Sequence, residues 1–136
     1  MQLVVDTNVL ISALLVKSKT YEIIVFGDLE LLVPEYSLEE IEKHKDELCK
    51  RMGVSRDEFN LALGLILSHV TVIPRHYYHE FETRAMSISP DHTDFPFFAL
   101  ALAKQIPFWT NETRLKKQNA VAVYNTEEIL EMTDLL

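Results

Sequence analysis

Acidic side chains stand at four places in this 136-residue chain where apolar residues meet polar ones. Asp6 follows Val5 and precedes Thr7, Asn8 and the apolar run 9–16, while Glu40 lies within Pro34-Glu35-Tyr36-Ser37-Leu38-Glu39-Glu40-Ile41. Asp91-His92-Thr93-Asp94 opens the apolar run that begins at Phe95, and Glu112 closes Trp109-Thr110-Asn111-Glu112. A carboxylate set between apolar segments is costly to bury unless a partner or a cation meets it. Two carboxylates ~4 Å apart repel by about 4 kcal/mol at an effective dielectric of about 20. A cluster of them takes up protons or binds a cation, and oxygen donors without cysteine favour Mg²⁺ or Mn²⁺.

Each acid also has a local structural explanation. Asp6 or Thr7 can cap the helix that follows, and Ser37 with Glu40 makes an S-x-x-E capping box. Asp91 and Asp94 suit the positive end of a helix, with Asp94 an N-cap ahead of Phe95-Pro96. Trp109 to Glu112 reads as a polar turn. Only convergence of these acids in space would recruit them to chemistry.

The elements that must position them alternate along the chain. Residues 3–5, 31–33, 70–73, 106–110 and 121–124 read as short buried strands. Helical spacing covers 9–16, 21–26 (ended by Gly27), 37–51, a helix from the Ser55/Glu58 capping box, 78–88, 95–104 and 126–135. Strands separated by helices, with no hairpin signal, require crossovers and therefore a parallel sheet covered on both faces. In such sheets the binding crevice lies beyond the carboxyl ends of the strands. That edge is where Asp6, Glu40 and Glu112 are expected.

The composition, 48% apolar and 25% charged, is that of a globular domain, and the length suits a single domain over 1–136. The net charge of −8 disfavours a protein held on nucleic acid or an anionic membrane by bulk charge alone, without excluding a nucleic-acid enzyme whose acids surround cations. Gly27, Gly53 and Gly64, the only glycines, build neither a dinucleotide fingerprint nor a P-loop. A lone Cys49 forms no internal disulfide or cysteine zinc cluster, so a reducing cytoplasm is the expected home. No run reaches the roughly 20 apolar residues of a membrane span, and no export signal is apparent.

The four acidic blocks also carry a family resemblance. Asp6-Thr7-Asn8-Val9-Leu10-Ile11-Ser12 resembles the opening signature of PIN-domain proteins, including the small VapC-like members of bacteria and archaea. The segments 34–41, 91–101 and 109–112 are similar to the second, third and fourth blocks, in the family's order and across nearly the whole chain. The resemblance implies a three-layer α/β/α fold with a five-stranded parallel sheet, and a Mg²⁺- or Mn²⁺-dependent ribonuclease. It implies that Asp6, Glu40 and Asp94 are the principal acids, with Glu112 at a position where aspartate is usual, and Asp91 assisting. Glu40 rather than Glu39 keeps the family's spacing from Pro34. The extra methylene of Glu112 puts activity rather than fold in question, since about 1 Å of misplacement can cost ~100-fold in rate. Many small relatives are toxins restrained by an antitoxin, which makes such a protein an implied partner.

On this reading Thr7, Asn8, Thr110 and Asn111 orient carboxylates or water. Lys17, Lys19, Arg114, Lys116 and Lys117 flank the first and fourth blocks as phosphate contacts, although solubility and helix-end charge explain them equally well. The rival class is a binding module for RNA or protein whose site has lost turnover. A haloacid-dehalogenase-type phosphatase needs a second aspartate where Asn8 stands. His76 and His79 have zinc-like spacing but no further ligands of the usual kind. The stripe Leu61, Leu65 and His69 offers a surface for a homodimer.

Overall fold

The computed structural model describes residues 1–15 and 18–133. Among these, strands β1 (Gln2–Val5), β2 (Glu30–Pro34), β3 (Val70–Ile73), β4 (Phe108–Trp109) and β5 (Val123–Tyr124) form one all-parallel sheet. Their order is β3-β2-β1-β4-β5. Strand side chains alternate between the two faces, as a period of two requires. Leu3, Val5, Leu31, Val33 and Trp109 enter one core with side chains of α1 (Thr7–Leu15), α2 (Lys19–Phe26), α3 (Glu35–Lys43), α4 (Lys45–Met52), α5 (Arg56–Leu67) and α8 (Thr126–Met132). Val4, Leu32, Ile73 and Phe108 enter the other, against α6 (Glu82–Ile88) and α7 (Phe95–Lys104). Both faces are thus covered, giving the expected three-layer α/β/α architecture.

The strand order explains where a site must lie. β1 sits centrally, with β2 on one side and β4 on the other, so the chain reverses its winding about β1. Helices diverge there and leave a crevice at the carboxyl end of β1. Asp6 is the next residue.

Several element boundaries differ from the sequence expectation. The single helix expected over 37–51 bends at His44 (φ −104°, ψ 9°) into α3 and α4. The bend keeps Ser37 and Ile41 buried on α3 while α4 buries Leu48 and Cys49. α3 also starts two residues early, with Pro34 at its N-cap and Ser37 inside the helix. The Ser37/Glu40 capping box therefore does not form, whereas the Ser55/Glu58 box does, with both bonds at 3.1 Å.

The helix expected over 78–88 begins only at Glu82, after 3-10 turns at Arg75–Tyr77 and His79–Phe81. Between those turns Tyr78 leaves helical geometry (φ −130°) to bury its ring. β4 and β5 are shorter than expected, two residues each. Pro107 has no N–H to pair and contributes only its carbonyl, which accepts from Val4 N at 2.9 Å. Gly27 caps α2 as expected, and a Cβ there would lie 2.3 Å from the Ile23 carbonyl oxygen. The expected ends of the first and last helices, and Lys17, fall outside the described residues. No helix among the described residues is long and apolar enough to cross a membrane.

Candidate active site at the carboxyl edge of the sheet

Four segments meet at that edge around a cavity of about 150 Å³. The turn from β1 into α1 brings Asp6, Thr7 and Asn8, and α3 brings Glu40. The short 3-10 turn before α7 brings Asp91, Thr93 and Asp94, and the segment after β4 brings Glu112 and Arg114. Residues distant in sequence, Asp6 and Asp94 among them, therefore share one pocket.

Asp6 is held by backbone on both sides. Its N–H donates to the Trp109 carbonyl at 3.0 Å, and its own carbonyl accepts from Val9 N and Leu10 N. The carboxylate is buried, accepting from the Thr110 hydroxyl at 2.6 Å and from Asn8 N at 3.3 Å. Burial raises its pKa, and those hydrogen bonds only partly oppose the rise. Glu40 behaves alike. Its Oε1 accepts from the Thr7 hydroxyl at 2.7 Å, and burial raises its pKa against the pull of the Thr7 and Tyr36 hydroxyls. Thr7 Oγ1 also lies 2.9 Å from the buried Ser37 hydroxyl, which fixes the threonine.

Asp94 occupies the N-cap position of α7 but makes no capping bond. Among the described residues no donor bonds its carboxylate. Burial, then the charges of Asp6, Asp91, Glu112 and Glu40, push its pKa up to about 7. The actual cap of the preceding turn is Asp91, whose Oδ1 accepts from Thr93 N at 2.9 Å and the Thr93 hydroxyl at 2.7 Å. The other Asp91 oxygen pairs with Arg114 Nη2. Arg114 Nε donates to Glu112 Oε2 at 3.1 Å, so one guanidinium joins two acids. Thr93 holds Asp91 below the usual carboxylate range, and Arg114 adds to that.

The donor chemistry fits a hard divalent cation. Asp6, Glu40 and Asp94 are carboxylates made unstable by burial, and the donors that do reach them are neutral hydroxyls and amides. As they stand, no three acids or histidines among the described residues converge closely enough to hold an ion.

The remaining sequence expectations divide. Glu40 lines the cavity, whereas Glu39 is exposed outside it. Asn111 is also outside, its Oδ1 accepting from Thr126 N at 2.8 Å and tying the β4 loop to α8. Lys19 pairs with Glu22 at 3.7 Å, Lys116 pairs with Glu128, and Lys117 is exposed; none of the three lines the cavity. His76 packs on Tyr77, and His79 Nδ1 lies 3.0 Å from the His76 carbonyl oxygen, with no metal-like grouping about them among the described residues.

Sequence reasoning passed over Thr93, Ser37 and Tyr36 as site residues. A Thr two residues after an Asp is an Asx-turn pattern and could have flagged Thr93. Tyr36 stands four residues before Glu40 on the same helix, a spacing that could have paired them, whereas Ser37 carried no such signal because its role depends on the packing of α1 against α3.

A family model described as a PIN domain matches residues 4–133. No curated protein matches the chain. Among solved structures it is similar to a chain in the VapBC2 complex from Rickettsia felis, bound to a DNA fragment from their promoter. The TM-score is 0.69 at 16% identity, covering 92% of this chain and 98% of that one.

Proposed function

The chain belongs to the PIN-domain family, and we propose that it is a divalent-metal-dependent endoribonuclease. PIN domains are in general nucleases, so action on nucleic acid is the coarse reading, and RNA phosphodiester hydrolysis is the finer one. The observation that carries it is Asp94, half-buried without a hydrogen-bond donor among the described residues, sharing one cavity with Asp6, Glu40, Asp91 and Glu112. Asp6, Glu40 and Asp94, with Glu112 and Asp91 beside them, would hold one or two Mg²⁺ or Mn²⁺ ions. When bound, such ions supply Lewis acidity and charge neutralisation at a scissile phosphate.

The chain's own groups have distinct parts. Thr110 and Thr7 fix the orientations of Asp6 and Glu40 through short hydroxyl bonds, and Asn8 steadies Asp6 through its N–H. Uncompensated, this acidic pocket repels phosphates, and a cation held by its carboxylates would relieve that repulsion. Lys17, Lys19, Arg114, Lys116 and Lys117 are the proposed phosphate contacts. Exposed pairs such as Lys19–Glu22 and Lys116–Glu128 are weak enough to exchange.

The test is cleavage of single-stranded RNA with Mn²⁺, beside single-stranded DNA of the same sequence. Cleavage of RNA by the wild type and its loss in Asp6→Asn are expected; equal cleavage by both would overturn the assignment. A second reading, a module without turnover, is favoured by one feature: Glu112 is tied to Arg114. Absence of Mn²⁺ binding at millimolar concentration by calorimetry would select it.

The fold shared with a VapBC2 chain supports a toxin role in a toxin–antitoxin pair, with an antitoxin as partner and the cytoplasm as workplace. Leu61 and Leu65 are 77% and 50% exposed on α5 and form the proposed homodimer surface together with His69. Light scattering that shows only monomer would remove the dimer.

A further inference from the structure

Resting on the metal-dependent reading above, we propose that Arg114 is a built-in counter-cation for the outer wall of the pocket. It holds Asp91 and Glu112 out of coordination, so that the site takes one divalent ion and admits a second only by displacing the guanidinium.

The carboxylates around the cavity are not equally available. Both oxygens of Asp91 are committed, Oδ1 to the N–H and hydroxyl of Thr93 and Oδ2 to Arg114 Nη2. Glu112 Oε2 is committed to Arg114 Nε at 3.1 Å. Arg114 is placed to do both because it follows Glu112 by two residues, on the 3-10 turn Thr113–Lys116. That turn is anchored by Leu115, which is fully buried in the core beneath α7. The guanidinium cannot lose its charge, and its fork satisfies two carboxylates at once.

On the inner wall the contrast is complete. Asp6 and Glu40 receive hydroxyl and amide donors only, and none reaches the Asp94 carboxylate among the described residues. No cation pairs with any of these three among the described residues. Electrostatic demand for a cation is therefore unmet at the inner wall and met at the outer one.

A divalent ion competing for Asp91 has to break its pair with Arg114, and one that takes Glu112 through both oxygens has to break the second pair as well. Exposed pairs of this type weaken a competitor by about 2- to 30-fold in total. The effect is a bias in stoichiometry, large enough to read and small enough to reverse by one substitution.

The experiment is a Mn²⁺ titration of the metal-stripped full chain, followed by the electron paramagnetic resonance signal of free Mn²⁺ and by calorimetry. Circular dichroism melts check that each variant is folded. The wild type is expected to saturate with one Mn²⁺. Arg114→Gln is expected to bind a second ion about tenfold more tightly than any second phase of the wild type. The double variant Glu112→Gln/Arg114→Gln should return to one ion, a result that a purely structural role for Arg114 would not give. Should Arg114→Gln fail to fold, Arg114→Lys serves instead, since an ammonium cannot bridge both acids in the same way and a smaller gain is expected.

Two equivalent ions in the wild type would overturn the proposal. So would unchanged binding in Arg114→Gln, or a second ion that survives the double substitution. Absence of Mn²⁺ binding in every protein would instead defeat the metal-dependent reading itself, and this inference with it.

Discussion

Asp6 and Glu40, on the inner wall of the pocket, accept hydrogen bonds from threonine hydroxyls, whereas Asp91 and Glu112, on the outer wall, share the guanidinium of Arg114. The residue types are nearly the same, and their states are opposite. A hydroxyl orients a carboxylate without cancelling its charge; a guanidinium cancels it. Burial outweighs the hydrogen bonds at Asp6 and Glu40, and at Asp94 neighbouring carboxylates add to it, so all three titrate above their ordinary ranges. Asp91, bonded by Thr93 and paired with Arg114, titrates below its own. Acidic residues alone therefore do not define a cation site. What distinguishes the inner wall is acid that the protein itself leaves uncompensated.

The sharpest way to break this contrast is to remove an inner charge. Asp94→Asn or Asp6→Asn is expected to lower Mn²⁺-dependent RNA cleavage by on the order of 10³-fold, about 4 kcal/mol of barrier, read from initial rates. Asp91→Asn on the outer wall should cost less than about 10-fold, since it removes a group already neutralised. Equal losses at both walls would erase the distinction.

Orientation by hydroxyls comes next. Thr110→Val removes the donor to buried Asp6 and should destabilise the fold by about 1–3 kcal/mol in denaturant unfolding. Activity should fall with it, because the Asp6 carboxylate loses its fixed rotamer. Thr7→Val should act similarly on Glu40, with a smaller stability cost because Glu40 is only half-buried.

The raised inner acids also set a pH dependence of stability. Asp94 moves from 3.8 to about 7 on folding, so between those values the folded protein keeps a proton that the unfolded chain has released. Stability of the metal-free protein should thus fall as pH rises from about 4 to about 7 and level off above. Mn²⁺ affinity should climb over the same interval as the proton is displaced. Asp94→Asn should weaken the dependence, leaving the part due to Asp6 and Glu40, and raise the chelator-treated melting temperature at pH 7.5 by about 2–5 °C. A melting profile that improves with pH in the wild type would contradict the origin assigned to the shift.

The smallest effect is reserved for the solvent-facing cations. Lys117→Ala should raise KM for RNA by about 2- to 3-fold at low salt and leave the catalytic constant unchanged, with the difference fading as salt is added.

Much of this arrangement is legible in the chain. Short β-branched and apolar runs separated by helical periods sufficed for a parallel sheet, because crossovers leave few other topologies. Asp6, Glu40 and Glu112 follow strand ends, so the rule placing crevices at carboxyl ends was enough to expect them together, whereas Asp94 stands at a helix start and was drawn in by the family resemblance. Ser37 shows the limit. By local pattern it caps a helix, yet Pro34 takes that role, and Ser37 is buried against Thr7 from another helix. The bend at His44 was equally hidden, since a continuous amphipathic pattern does not reveal where packing on the core turns it.

The sequence by itself determined the architecture, because hydrophobic period and strand–helix alternation act locally along the chain; which acids to single out came from the resemblance of four acidic blocks to one family. Tertiary structure alone decided which acids are left without a compensating cation. Whether a carboxylate meets a hydroxyl, a guanidinium or no donor depends on the convergence of segments far apart in the chain, and it is that meeting, through burial and Coulomb interaction, that divides the pocket into its two walls.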